Sequence, residues 1–302
     1  MAYEIQVLDL IDIELESSFL VLARNMGKPT RAKTWSYVLL GPETEPIIVD
    51  TGAQSPEIMQ RLHMTGLQSE EQRLENQLAR HGVKMGDVRW IVHTHHHIDH
   101  AGQDERFPKA TVITNRRELE YSVSGIMGGQ YPPEYVKHHV DRLHTPGALR
   151  LLDLELAGPD EIFPGVVCEA AGGHTEGSMN IVVDLVNGEK ACICGDVVYD
   201  IQNQIVDPLH QVLDYEPQST GNQGTSKRQE RAAIKKALNS GTFLLPLHDW
   251  PARVANGRVL SRLVGGSVPG PERPVEHRTA SETGQAGRGA EQFWVDEPVL
   301  AV

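Results

Sequence analysis

The 302-residue chain predicts an α/β fold with two layers of sheet and helices outside. Two observations carry that reading. β-branched, apolar runs stop at turn residues, and helical stretches open on a capping box and close on glycine, in the same order in both halves. No sequence repeat links the halves, so only their architecture is alike.

In the first half, "EIQVLDLIDIEL", "WSYVLL" and "PIIVD" read as strands, the last ending at the turn-forming "DTG". "SEEQRLENQLARHG" predicts a helix: Ser69 and Gln72 form a capping box, Leu74 and Leu78 share a face, and Gly82 stops it. "VRWIV" is a short buried strand that runs straight into "HTHHHIDH", residues 93–100. A strand, "ATVITN", and a helix from Arg116 through Tyr121 follow, then the Gly- and Pro-rich "GIMGGQYPPEY" and a helix over "PEYVKHHVDRLH".

The second half contributes strands at "GVVCEAA", "MNIVVDLV" and "KACICGDVV", with Asn187-Gly188 as a hairpin turn between the last two. A second capping box, Ser226 to Gln229, opens "SKRQERAAIKKALNSG", and "TFLLPLHDW" is expected to be the final strand. Residues 1–264 therefore read as one domain. Residues 265–302 are dense in Gly, Pro, Ser and charge and read as an extended or disordered tail. Its terminal "FWVDEPVLAV" is apolar enough to dock on the body or to pair the chain as a homodimer.

A formal net charge of -13 argues against a nucleic-acid partner, which needs clustered Lys and Arg. No apolar run has the length of a membrane span, and "MAYEIQVLDLIDIELESS" carries acids where a signal peptide carries basic residues. A cytoplasmic protein acting on a small molecule is the expectation. Cys168, Cys192 and Cys194 are too few for a disulfide framework, and the alternation of Cys192 and Cys194 puts both on one face of a strand.

The histidine-rich stretch sets the chemistry. A compact metal site needs imidazoles and carboxylates converging at about 2 Å from an ion on short, stiff backbone. His95 and His97 are two apart and point to one side, with Asp99 and His100 just beyond. Such a segment can give two imidazoles to one metal and an Asp plus a His to a second. Distant ligands must close each site, and His174 in "GGHTEGS", Asp196 in "CGDVVY" and His248 in "LPLHDW" each follow a strand. His93 reads as strand structure, and His96 as a residue turned away from the ligands, beside them or on the pocket wall. His63, His81, His138, His139, His144, His210 and His277 read as solvated or structural.

"IIVDTG", "HTHHHIDH", "GGHTEGS", "GDVVY" and "LPLHD" together resemble the five ordered motifs of the metallo-β-lactamase superfamily over roughly residues 35–250. The resemblance implies an αβ/βα sandwich with two divalent metal ions along one edge. It makes His95, His97 and His174 ligands of one ion and Asp99, His100 and His248 ligands of the other, with Asp196 bridging and Asp50 a supporting carboxylate. Zinc is the default metal, and Fe, Mn or Co suit the same donors.

The true β-lactamases usually carry Cys where Asp196 stands, and the superfamily's nucleases need basic surfaces that this chain does not offer. Tyr199, "HIDHAGQ" and the helix-rich insert between Thr114 and Pro164 are similar to the quorum-quenching N-acyl homoserine lactone lactonases and their pyridoxolactonase-like relatives. Two departures, His96 and the loop "GIMGGQYPPEY", bear on the substrate. The activity this implies is opening of a lactone by a hydroxide shared between the metals, with Tyr199 polarising the carbonyl and Asp99 passing a proton to the ring oxygen. Met127, Tyr131, Tyr135 and Trp250 are candidates for the pocket wall. A metallohydrolase of another ester, a thioester or a cyclic amide would use the same ligands. A diiron redox protein on this fold would need iron and normally a flavin domain.

Overall fold

A computed structural model of the protein describes residues 1–208, 216–222 and 224–277; His210 and everything after residue 277 lie outside the described residues. Two eight-stranded mixed sheets pack face to face. Across the first, the strands run Ser267–Val268, Glu4–Glu16, Pro29–Leu40, Ile47–Val49, Trp90–Val92, Thr111–Asn115 and Leu149–Leu152, with Thr65–Leu67 added beside Glu4–Glu16. Across the second they run Glu272–Pro274, Arg258–Leu263, Ala252–Ala255, Phe243–Pro246, Lys190–Gly195, Met179–Asp184, Val166–Ala170 and Asp160–Phe163.

Alternation along each strand sorts the side chains into layers. Ile47, Val49, Tyr37, Val92 and Ile113 face inward against Ile181, Ile193, Phe243 and Leu245 of the opposite sheet. Each of these fully buried apolar side chains contributes roughly 1.5–3 kcal/mol. Ile48 and Ile91 face outward onto Leu74 and Leu78 of the helix Leu74–Arg80. On the other side Cys192 and Cys194 share the outward face, as their spacing predicts, and pack on Ala233, Ile234 and Ala237 of the helix Lys227–Ala237. The layers are thus helix, sheet, sheet, helix.

Strand direction explains why the chemistry collects at one edge. Ile47–Val49, Trp90–Val92 and Thr111–Asn115 are parallel, as are Lys190–Gly195 and Phe243–Pro246. Two antiparallel steps turn Val166–Ala170 back to the direction of Lys190–Gly195. Asp50, residues 93–100, His174, Asp196 and His248 all follow the C-terminal end of one of these strands.

The helix Lys227–Ala237 opens on the expected capping box: Gln229 N–H donates to Ser226 Oγ, and Ser226 N–H donates to the Gln229 side chain. Ser226→Ala is expected to cost ~1 kcal/mol, read as a lower urea midpoint at unchanged slope. An unmoved midpoint would show that the cap contributes nothing.

Three expectations shift. The helix after Ser69 begins only at Leu74, because Gln72 is drawn elsewhere: its Nε2 donates to Asp9 and Asp12 of the long first strand, while its Oε1 accepts from Ser69 N–H. "TFLLPLHDW" is not the last strand, since Ala252–Ala255 and Arg258–Leu263 follow as a hairpin over Asn256-Gly257, both at positive φ. Nor does Gly265 end the sandwich. Ser267–Val268 pairs with the first strand and Glu272–Pro274 with Arg258–Leu263, so residues up to Pro274 belong to the two sheets. Among the described residues no helix is long and apolar enough to cross a membrane.

Candidate metal centre

Short strands deliver the side chains. Trp90–Val92 ends against a loop in which residues 93–100 are all buried, and the parallel strand ends beside it bring Asp50, Asp196 and His248 within reach. Two groups of potential ligand atoms form: His95, His97, His174 and Asp196, and next to them Asp99, His100 and His248. Asp196 faces both. Its Oδ2 lies 3.5 Å from His174 Nε2 and 3.7 Å from His95 Nε2, while its Oδ1 lies 3.1 Å from His100 Nε2 and 3.2 Å from His248 Nε2. Asp99 closes the second group, 3.5 Å from both His100 Nε2 and His248 Nε2.

The donor set fits divalent ions on a specific test. Buried polar atoms normally find a hydrogen-bond partner. Yet His95 Nε2, His100 Nε2 and Asp196 Oδ1, which face the cluster, are buried without one, and His97 Nδ1 and His174 Nε2 have only each other, 2.9 Å apart, although the far nitrogens of His95, His100 and His248 are engaged. His100 Nδ1 lies 3.0 Å from Asp50 Oδ2, His248 Nδ1 donates to Lys33 O at 2.6 Å, and His95 Nδ1 lies 3.1 Å from Thr94 Oγ1. Such contacts fix ring orientation and leave the second nitrogen for a metal. Burial lowers the pKa of His95, His97 and His174, the last to about 4, which keeps these rings neutral. Burial opposes charge on Asp196 too, but His100, His248 and His95 around it hold its carboxyl well below the usual range.

Asp50 is the supporting carboxylate. It adopts a left-handed backbone, φ 60°, uncommon for a non-glycine residue. Thr94 holds it twice, through its N–H at 2.8 Å and its hydroxyl at 2.6 Å. Gly195 makes room for Thr94: a Cβ there would stand 2.7 Å from Thr94 Oγ1.

Tyr199 is buried, stacks on His248 with ring centroids 4.9 Å apart, and its hydroxyl accepts from Asn222 Nδ2 at 3.0 Å. Asn222 is also paired reciprocally with Gln130, at 2.7 and 3.1 Å. These residues, with His97, Asp99, Asp196 and His248, form the polar end of a cavity whose other walls are Ile13, Leu15, Phe19, Leu20, Met59 and Leu62.

The expected pocket wall is corrected accordingly, because Met127, Tyr131, Tyr135 and Trp250 do not line this cavity. Trp250 packs on Trp35 at 4.8 Å, in the layer between the sheets. The Tyr135 hydroxyl donates to Ile98 O and accepts from Gln54 N–H. Tyr131 packs edge-on to His97 and donates to Glu118 at 2.8 Å. Met127 is half-buried in the insert, against Gly224. His96 does turn away from the ligands, but into the interior rather than the cavity: its Nε2 meets Thr114 Oγ1 at 2.8 Å and its ring stacks on His139 at 4.1 Å.

Two features escape the sequence. Glu118 is a buried carboxylate that accepts from His96 N–H, Tyr131 OH and Thr175 OH, tying the loop of His95 and His97 to the loop of His174. His93, Asp104 and His139 form a third buried group beside the first two. Its inward atoms are paired with one another, since His93 Nε2 and His139 Nε2 face Asp104 Oδ2 at 2.8 and 3.1 Å, while His139 Nδ1 is buried without a partner. Burial disfavours charge on His93, yet Asp104 and Asp50 on its two sides raise its pKa to about 9.

Comparison with known proteins agrees with this geometry. The family model of the metallo-beta-lactamase superfamily matches residues 30–254. The N-acyl homoserine lactonase AiiA of Bacillus thuringiensis subsp. kurstaki is 26% identical over 198 residues, 63% of this chain and 73% of its own. Among solved structures, an N-acyl homoserine lactone hydrolase with N-hexanoyl-L-homoserine bound at its catalytic metal centre superposes with a TM-score of 0.60 at 23% identity, covering 78% of this chain and 88% of that one. AidC, a dizinc quorum-quenching lactonase, does so with a TM-score of 0.61 at 15% identity, covering 92% and 96%. Those two likenesses speak for the fold. With the family model spanning most of the chain and the His and Asp groups gathered at one sheet edge, this protein belongs to the metallo-β-lactamase superfamily.

Proposed function

We propose that the protein is a metal-dependent lactonase, opening an N-acyl homoserine lactone or a similar small lactone to its hydroxy acid. The observation that carries this is a buried His and Asp cluster with unpaired ligand atoms at the polar end of an otherwise apolar cavity. Its sequence relatives named as N-acyl homoserine lactonases support the same reading. We assign His95, His97 and His174 to one ion, Asp99, His100 and His248 to a second, and Asp196 to both, with zinc the expected metal. When bound, such ions supply an acidified water and polarise an ester carbonyl.

The chain's own residues position the substrate and move the proton. Ile13, Leu15 and Phe19 give an apolar substituent a dry wall, which strengthens the polar contacts at the other end. Asn222 already donates to the Tyr199 oxygen, so the Tyr199 O–H, which faces the Asp196 carboxylate, can turn to donate to the carbonyl oxygen as negative charge develops there. Asp99 reaches the cavity beside His100 and His248 and is placed to carry a proton to the departing ring oxygen.

A panel of lactones, linear esters and thioesters, read by acid release, tests the assignment. Lactones are expected to be the preferred substrates. Tyr199→Phe, which removes one neutral donor, is expected to lower kcat about 10-fold. Acid release from thioesters with none from lactones would overturn the reading, as would equal lactone hydrolysis by protein shown by elemental analysis to be metal-free.

A further inference from the structure

A line of buried contacts runs from the helix Pro133–Leu143 to the second ligand group. His139 Nε2 lies 3.1 Å from Asp104 Oδ2, and the same oxygen lies 2.8 Å from His93 Nε2. His93 Nδ1 lies 3.1 Å from Asp50 Oδ1, and Asp50 Oδ2 lies 3.0 Å from His100 Nδ1. Thr51 Oγ1 donates to the other Asp104 oxygen at 2.9 Å, and Arg142 Nη2 donates to the Asp104 backbone carbonyl at 2.8 Å. All five residues of the line are at most 1% exposed.

We infer that His93, Asp104 and His139 are positioning residues for the metal held by Asp99, His100 and His248. The inference rests on the ligand assignment proposed above and is independent of the substrate. Asp50 can fix the proton of His100 on Nδ1, and leave Nε2 bare towards Asp99 and Asp196, only if Asp50 itself stays in place. Its left-handed backbone does not secure that, and among the described residues its one side-chain support besides Thr94 and His100 is His93. His93 is in turn pinned on its far nitrogen by Asp104, which His139 and Thr51 orient. Side chains behind a ligand, though they never touch the ion, typically set metal affinity by about 10–100-fold.

The line bears unequally on the two groups. It ends on His100 of the second. Side-chain hydrogen bonds reach the first only at its edge, through Thr94 to His95 Nδ1 at 3.1 Å, and His100 packs on the His95 ring at 4.1 Å; among the described residues no side chain of the line hydrogen-bonds the His97 or His174 ring. His96 offers a matched control, since it is equally buried, sits in the same loop and stacks on His139, yet lies off the line because its Nε2 bonds Thr114.

Metal-free full-length protein, titrated with zinc against a chromophoric chelator, tests this. Wild type and His96→Leu are expected to take up two equivalents with similar affinities. His93→Gln and Asp104→Asn are expected to bind the first equivalent as wild type does and the second about 10–100-fold more weakly. His139→Gln, the outermost link, should show a smaller loss in the same second step, and it carries the test if circular dichroism finds the inner variants unfolded. A second equivalent bound as tightly as in wild type by every folded variant would overturn the inference, as would equal weakening of both equivalents. Wild-type protein binding fewer than two equivalents would instead overturn the ligand assignment. Lactone turnover enters none of these readings.

Discussion

Asp196→Ala is expected to lower lactone hydrolysis at least about 10³-fold, the rate equivalent of roughly 4 kcal/mol of lost charge stabilisation. Among the described residues Asp196 alone turns one carboxylate oxygen to each ligand group. Without it, His100 and His248 lose the nearer of the two carboxylates that face both of them, and each group drops from four potential donors to three. Elemental analysis should accordingly find less than two metals per chain. The residual rate should match that of wild type stripped by a chelator, because both would lack the same acidified water. A variant that retained wild-type kcat/KM would remove Asp196 from the site, and one that retained both metals but lost the rate would give it a role in chemistry rather than in binding.

How far the sequence reaches depends on the distance over which each feature is encoded. Layering was legible because strand and helix patterns are local: two rounds of strands followed by a helix imply the layers, and Cys192 with Cys194 on one face needs only a strand and two sides. The seven ligand candidates were legible because each follows a strand end, where backbone geometry and residue type coincide. The cavity wall was not. Ile13 and Leu15 look like ordinary strand core, and only the pairing of the first two strands and the folding back of Phe19 bring them beside Asp99. The contacts behind the site were hidden for the same reason, since Asp50 and His93 are 43 residues apart, Asp104 and His139 are 35 apart, and Glu118 and Thr175 are 57 apart. His139 within "VKHHVDRL" carries no mark that one of two adjacent histidines is buried. The strands Ser267–Val268 and Glu272–Pro274 are too short for any period to show, and only their neighbours in the sheets define them.

Asp99→Asn should separate proton delivery from metal holding. The amide keeps an oxygen towards His100 and His248, so the second ion keeps a donor, but it cannot carry a proton to a leaving group. General acid catalysis by a positioned side chain is worth roughly 10²–10⁴-fold, and lactone kcat in Asp99→Asn is expected to fall by about 10³-fold, with a far smaller change in KM. The leaving group decides the interpretation. A ring alkoxide is a strong base and needs its proton as the bond breaks, whereas a nitrophenolate departs without one. Asp99→Asn should therefore lose about 10-fold or less on a nitrophenyl ester. Measured together, the two substrates distinguish the roles. If Asp99 served only to hold the metal, both rates would fall by the same factor, along with the metal content. A large loss confined to the lactone, at two metals per chain, is the outcome expected of a carboxylate facing the cavity at 8% exposure between two imidazoles that face away from solvent.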